Sequence, residues 1–308
     1  MKSSLAILAV VASVFAGLPS RSLAQALGPV LQQVQVPVSR ARVPNSGTGP
    51  VFVRYMLIDP GNADPDPDRD GFMPLERVAV LVLLIGGDGA MDFRAGQVNT
   101  GSPNPVARNR YHFAAEGYVV AVVDAATDFN ASGIGLRGRR LGAAHLADMQ
   151  AVMLDLRTKY PNLPVWAVGH SRGTLSAGVM ATMSAQVSPT GAVIGPADGL
   201  VLLSSLTGDP ANPTEDLSRV DLESIRAPAL VVSHQGDLCA FTKPEDSRAL
   251  TKRFIASERA KFRAFEGGST PISDPCDALA PHGFFGIDQK VVDAITKWIG
   301  RREDPHND

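Results

Sequence analysis

Pro164-Val165-Trp166-Ala167-Val168-Gly169-His170-Ser171-Arg172-Gly173 is the stretch whose reading decides the fold. Residues 165–168 form a short apolar run between Pro164 and Gly169, the pattern of a buried strand. Residues 174–183 are rich in Ala, Leu and Met and predict a helix. Between them stands Gly-x-Ser-x-Gly, with Gly169, Ser171 and Gly173 at the fixed places. A chain that passes from strand to helix this quickly holds its central residue in a strained conformation. Glycine on either side lets the two elements approach closely. Such a turn lifts the Ser171 hydroxyl above the carboxyl edge of a sheet, with helix amides behind it. The plainer alternative is a strand-to-helix turn in which Ser171 only caps the helix.

The flanking sequence favours a parallel sheet. Residues 78–85 are a continuous apolar run, the signature of a strand covered on both faces. The run ends in Gly86-Gly87-Asp88-Gly89, a turn that leaves backbone amides free for an anion or a developing oxyanion. Residues 109–116 predict a helix closed by Gly117, and residues 118–123 the next central strand. Upstream, residues 33–38 and 51–58 read as early antiparallel strands. Gly133-x-Gly135-x-x-Gly138 matches a dinucleotide fingerprint, but it starts too far beyond its strand and has no placed acidic partner. It reads instead as a flexible basic loop whose Arg137, Arg139 and Arg140 could meet an anionic substrate. Residues 141–160 carry Met149, Val152, Met153 and Leu156 at helical spacing, with His145 and Asp148 expected at the surface. Later strands are expected at 199–203, 229–232 and 261–265, with a final helix through Val291, Ile295, Trp298 and Ile299. Residues 204–227 are polar, broken by Pro210 and Pro213, and too short for a separate cap.

At 308 residues the chain can bury a sizeable core. Its 44% hydrophobic and 19% charged residues are ordinary for a globular protein, and a net charge of −2 gives no support for nucleic-acid binding. Lys2, the apolar run 5–17 and Ala24-Gln25-Ala26 have the order of a secretory signal peptide. Residues 1–26 are therefore expected to be removed, leaving a domain from 27 to 308 that is secreted or periplasmic and not inserted in a membrane. An uncleaved anchor is the alternative, though the run is short for a span. In an exported chain the two cysteines, Cys239 and Cys276, are expected to be bridged. Asp66, Asp68, Asp70 and Gly71 match the opening of a calcium loop, but Arg77 stands where the closing Glu should fall. The stretch reads as a solvated acidic loop, and no metal site is expected.

A serine hydroxyl needs an imidazole base, itself oriented by a carboxylate, to act as a nucleophile. Reading forward from Ser171, Asp237 follows the strand at 229–232, and His282 lies between Pro281 and Gly283 after 261–265. His234 and Asp209 are the weaker candidates for base and acid, while His112 and His145 precede the nucleophile. On Gly169-His170-Ser171-Arg172-Gly173, Asp237 and Pro281-His282-Gly283, the chain from about Val51 onward resembles the α/β-hydrolase superfamily. The resemblance implies a mostly parallel eight-stranded sheet with helices on both faces, a Ser171–Asp237–His282 triad and acyl-enzyme chemistry without a cofactor. It also implies one oxyanion amide from Arg172 and a second from the turn after the third strand. Many members carry His-Gly in that turn; here Gly87 or Asp88 would supply the donor. The expected activity is hydrolysis of a carboxylic ester, with a peptidase or amidase, or a non-catalytic binding protein on the same fold, as alternatives.

Overall fold

In a computed structural model of the chain, the described residues are 31–62, 75–93, 101–187, 191, 193–209 and 212–301. The leader at 1–26 and the acidic stretch from Asp66 to Gly71 lie outside them. The strands are β1 (Leu31–Val38), β2 (Val51–Ile58), β3 (Val80–Leu84), β4 (Val119–Val123), β5 (Val165–His170), β6 (Gln186–Val187), β7 (Val193–Ile194), β8 (Gly199–Leu203), β9 (Ala229–His234) and β10 (Ala260–Phe265). The helices are α1 (Pro105–Arg108), α2 (Arg110–Ala115), α3 (Thr127–Ala131), α4 (Ala143–Lys159), α5 (Gly173–Thr182), α6 (Pro244–Thr251) and α7 (Asp288–Ile299). Eight strands form one sheet in the order β1-β2-β4-β3-β5-β8-β9-β10, and β6 with β7 makes a separate small hairpin.

The sheet is antiparallel where β1 meets β2 and β2 meets β4, and parallel from β4 through β10. Burial explains the change. β3, β4 and β8 are runs of Val, Leu, Ala and Gly with every residue buried, so both faces must be covered by helices. One core layer gathers Met149, Val152, Met153 and Leu156 of α4 with Leu175 and Met180 of α5. The opposite layer holds Phe113 of α2, Trp166 of β5, and Ile295 and Trp298 of α7. Trp166 meets Trp298 edge to face at 5.6 Å, which fixes α7 against the sheet. Between β8 and β9 the described residues carry only two short 3-10 turns, at Leu217–Arg219 and Leu222–Ser224. No cap domain is built there.

The helix foreseen at 109–116 is α2, and a further turn, α1, precedes it, started by Pro105 and the Asn104 cap, whose side chain accepts from Val106 N at 3.2 Å. Two expectations are corrected. His145 and Asp148 are buried rather than exposed. The partner that permits this comes from far off in sequence: Arg40, beyond β1, donates to both Asp148 and Asp128, with its Nε and Nη1 at 2.7 Å. Arg140 is also buried, at 1% exposure, so that part of the basic loop is packed, not free. Helical spacing alone cannot show this, since it counts a polar side chain as solvent-facing unless its partner is adjacent.

Burial holds the His145 imidazole down to about 3, with Arg140 and Arg40 adding to the effect. The unfolded chain takes up a proton near the ordinary histidine value while the native state stays neutral. Native stability should therefore fall as pH drops from about 6.5 toward 4, by about 1.4 kcal/mol per pH unit from this group. In His145→Asn, denaturation curves taken across that window should show the slope reduced by about one proton. An unchanged slope would refute the assignment.

Candidate active site

At the carboxyl end of β5 the chain turns sharply into α5, and Ser171 sits at the turn with φ of +54°. Sterics require the glycines on either side. A Cβ at Gly173 would lie 2.0 Å from the Leu84 carbonyl oxygen of β3, and one at Gly169 would lie 2.4 Å from the Gly173 oxygen. Any larger residue would push α5 off the sheet. Ser171 N donates to Leu203 O of the neighbouring β8 at 2.9 Å, which locks the strained residue. The turn after β3 lies directly alongside: a Cβ at Gly86 would be 2.9 Å from Ser171 Cβ. Gly87, exposed and at φ +59°, follows it. The backbone N–H groups of Gly87, Asp88 and Arg172 donate to no acceptor among the described residues. They are free for an anionic oxygen at this corner.

Asp237 and His282 are brought together from β9 and from the loop after β10. His282 Nδ1 donates to Asp237 Oδ2 at 3.0 Å, and both side chains are almost wholly buried. Thr242 closes the pair. Its Oγ1 donates to the same carboxylate oxygen at 2.9 Å and lies 3.1 Å from His282 Nδ1. Asp237 Oδ1 accepts from Cys239 N at 2.9 Å. The carboxylate is thus held by three donors, and the tautomer of His282 is fixed with Nε2 as its acceptor nitrogen. Among the described residues no hydrogen bond joins Ser171 Oγ to His282, whose Nδ1 is engaged by Asp237.

The backbone of His282 is fixed as firmly as its ring. Its carbonyl accepts from His170 Nε2 at 3.0 Å and from Ser204 Oγ at 2.8 Å. His170 Nδ1 in turn accepts from Asn104 Nδ2 at 3.1 Å. Burial, with smaller effects of His282 and Arg108, keeps the His170 imidazole well below the usual histidine range. It stays a neutral single donor. Arg108 ties the same loop to the helices, donating to Ala278 O at 2.8 Å, Gly283 O at 2.6 Å and Asp288 Oδ1 at 2.7 Å. Cys239 and Cys276 are bonded, with Cα atoms 4.6 Å apart, so the loop carrying Asp237 is stapled to the segment leading into His282.

The competing candidates are engaged elsewhere. The Arg172 side chain pairs with Asp209 and with Glu215, both buried. Asp209 therefore supports the elbow and does not face the histidine. His234 Nε2 bonds Gly267 O at 2.9 Å, and Gly236 N donates to its Nδ1 at 3.0 Å, so it braces the turn before Asp237. Arg139 stacks over Phe129. Sequence reasoning missed Thr242, His170, Ser204 and Arg108. His170 lies inside the elbow motif and Ser204 directly follows β8, which are positional hints. Nothing in the sequence points to Arg108, whose acceptors lie about 170 residues further on.

No family model matches the sequence, and no curated protein matches it either. Solved structures do match. An esterase of Thermogutta terrifontis, in its butyrate-bound form, superposes with a TM-score of 0.56 at 14% identity, covering 91% of this chain and 97% of that one. The same enzyme phosphoramylated by tabun gives 0.51 at 17% identity, covering 88% and 96%. A cold-adapted esterase from an Arctic intertidal metagenomic library gives 0.50 at 13% identity, covering 87% and 94%. Identities this low speak to the fold alone. The chain has the α/β-hydrolase fold, with a mostly parallel eight-stranded sheet, and the likeness covers nearly the full length of these neighbours.

The bridge closes a loop of 37 residues in sequence separation. Chain entropy assigns it about 4 kcal/mol. Cys276→Ser should lower the denaturation midpoint by a corresponding amount. Two free thiols by non-reducing peptide mapping of oxidatively folded protein would show that the loops are not stapled.

Proposed function

We propose that this protein is a serine hydrolase that cleaves carboxylic esters through an acyl-enzyme on Ser171. The observation that carries the reading is the buried Asp237–His282 pair at 3.0 Å, set beside an elbow that holds Ser171 at positive φ. His282 takes the proton from Ser171 Oγ as that oxygen attacks the carbonyl carbon, and returns it to the departing alcohol. Water then repeats the sequence in reverse and frees the acid. Asp237 holds the imidazole in the tautomer that accepts at Nε2 and stabilises the imidazolium that forms. The amides of Arg172 and of Gly87 or Asp88 receive the oxyanion, at roughly 3 kcal/mol of transition-state stabilisation per donor. That the structural neighbours are described as esterases, one with bound butyrate, favours an ester over an amide.

Hydrolysis of p-nitrophenyl acetate and butyrate, beside peptide and lactone substrates, tests the class. Ser171→Ala should remain folded and lose turnover by about 10⁴ or more. Asp237→Asn should lose turnover severely, because an amide favours the wrong imidazole tautomer. Near-normal turnover in either variant, or failure of a fluorophosphonate to label Ser171, would sink the mechanism.

The reading includes export, supported by the order of Lys2, the apolar run and Ala24-Gln25-Ala26, and by a disulfide that suits an oxidising compartment. N-terminal sequencing of protein from its native host should begin near Gln25 or Leu27. A chain beginning at Met1 would exclude cleavage.

A further inference from the structure

Arg140 is a fully buried guanidinium with no carboxylate in ion-pair reach among the described residues. Burial, with a smaller effect of Arg172 and against the pull of Glu215 and Asp88, pushes it down to about 10. An unpaired buried charge is costly, so its placement calls for a cause. Its acceptors supply one. Nη2 faces three consecutive carbonyls of the turn after β3, at 3.1 Å from Ile85 O, 3.5 Å from Gly86 O and 3.3 Å from Gly87 O. Nη1 donates to Ser176 Oγ of α5 at 2.7 Å. With Ser176 accepting from the arginine, its own proton goes to His145 Nε2, 2.8 Å away. Leu136 N takes the next carbonyl, Asp88 O, at 2.7 Å.

Geometry then sets the other side of the turn. Every peptide bond here is trans, so the N–H of one residue points opposite to the C=O of the residue before it. Drawing the Gly86 and Gly87 carbonyls toward Arg140 turns the Gly87 and Asp88 N–H groups the other way. These N–H groups have no acceptor among the described residues, and Gly86 lies against Ser171. Glycine at 87 accepts the resulting φ of +59° without strain.

We infer that Arg140 is a positioning residue for catalysis: through the Ile85, Gly86 and Gly87 carbonyls it aims the turn's amides at the oxyanion formed on Ser171. The inference rests on the proposed function, since it presumes an oxyanion there. The arginine touches no substrate, and the Ser176–His145 pair holds it from behind. A charged donor is suited to the task because one guanidinium can reach several carbonyls at once, where a lysine reaches fewer from a single point.

The experiment compares wild type, Arg140→Lys and the milder Ser176→Ala, each titrated with a fluorophosphonate so that turnover is expressed per reactive Ser171. Arg140→Lys should lose at least tenfold in kcat per titrated site with KM changed less than about twofold, and Ser176→Ala should lose kcat in the same manner but less. A purely structural role would instead lower the thermal midpoint and the titratable fraction while leaving kcat per site intact, and that result overturns the inference. If Arg140→Lys does not fold, Ser176→Ala decides: normal kcat per site rejects the inference. A wild type that neither hydrolyses esters nor reacts with the probe would reject the hydrolase reading itself, and this inference with it.

Discussion

The close approach of the β5–α5 turn to the end of β3 is the constraint on which the rest depends. With 2.0 Å between a notional Gly173 Cβ and Leu84 O, the helix can start where it does only because residue 173 has no side chain. That contact places Ser171 above the sheet edge. It also puts the turn after β3 at the serine's side, since Leu84 is the last residue of the strand that feeds the turn. The proposed nucleophile and the proposed oxyanion donors are therefore fixed by one steric event.

Around this corner several buried side chains donate to backbone carbonyls of the loops. His170 and Ser204 both grip His282 O, Arg108 grips Ala278 O and Gly283 O, and Arg140 grips the Ile85–Gly87 carbonyls. Loops lack the ladder bonds that hold strands and helices, so their carbonyls must find side chains or water. Using buried side chains leaves the loops with little freedom. For chemistry that loses much from small misplacements, such fixation matters as much as the identity of the reacting groups.

The arrangement separates tasks between the two core layers. The α4–α5 side carries Arg40 with Asp128 and Asp148, then His145, Ser176 and Arg140, a band of buried polar groups running up to the turn beside Ser171. The α7 side carries aromatic packing, Trp166 on Trp298 and Phe284 against Phe265, beneath the His282 loop. One side holds the turn beside Ser171 by hydrogen bonds; the other supports the His282 loop by packing.

The sequence by itself determined the sheet, its parallel centre, and the order Ser171, Asp237, His282. Those features are written locally: apolar runs of strand length, glycines at fixed offsets, and loop residues directly after strands. It also placed Cys239 and Cys276 near Asp237 and His282 and predicted the bridge between them that the structure contains. The tertiary structure alone decided that Asp209 serves Arg172, that Thr242 joins the Asp237–His282 pair, and that His145, Asp148 and Arg140 are interior. The reason is physical. A buried polar group is made tolerable by a partner, and the partners of Asp148 and Arg140 stand 108 and 36 residues away in Arg40 and Ser176. Local pattern records which face a residue occupies on its own element, but only the packed fold brings a distant guanidinium or hydroxyl to that face.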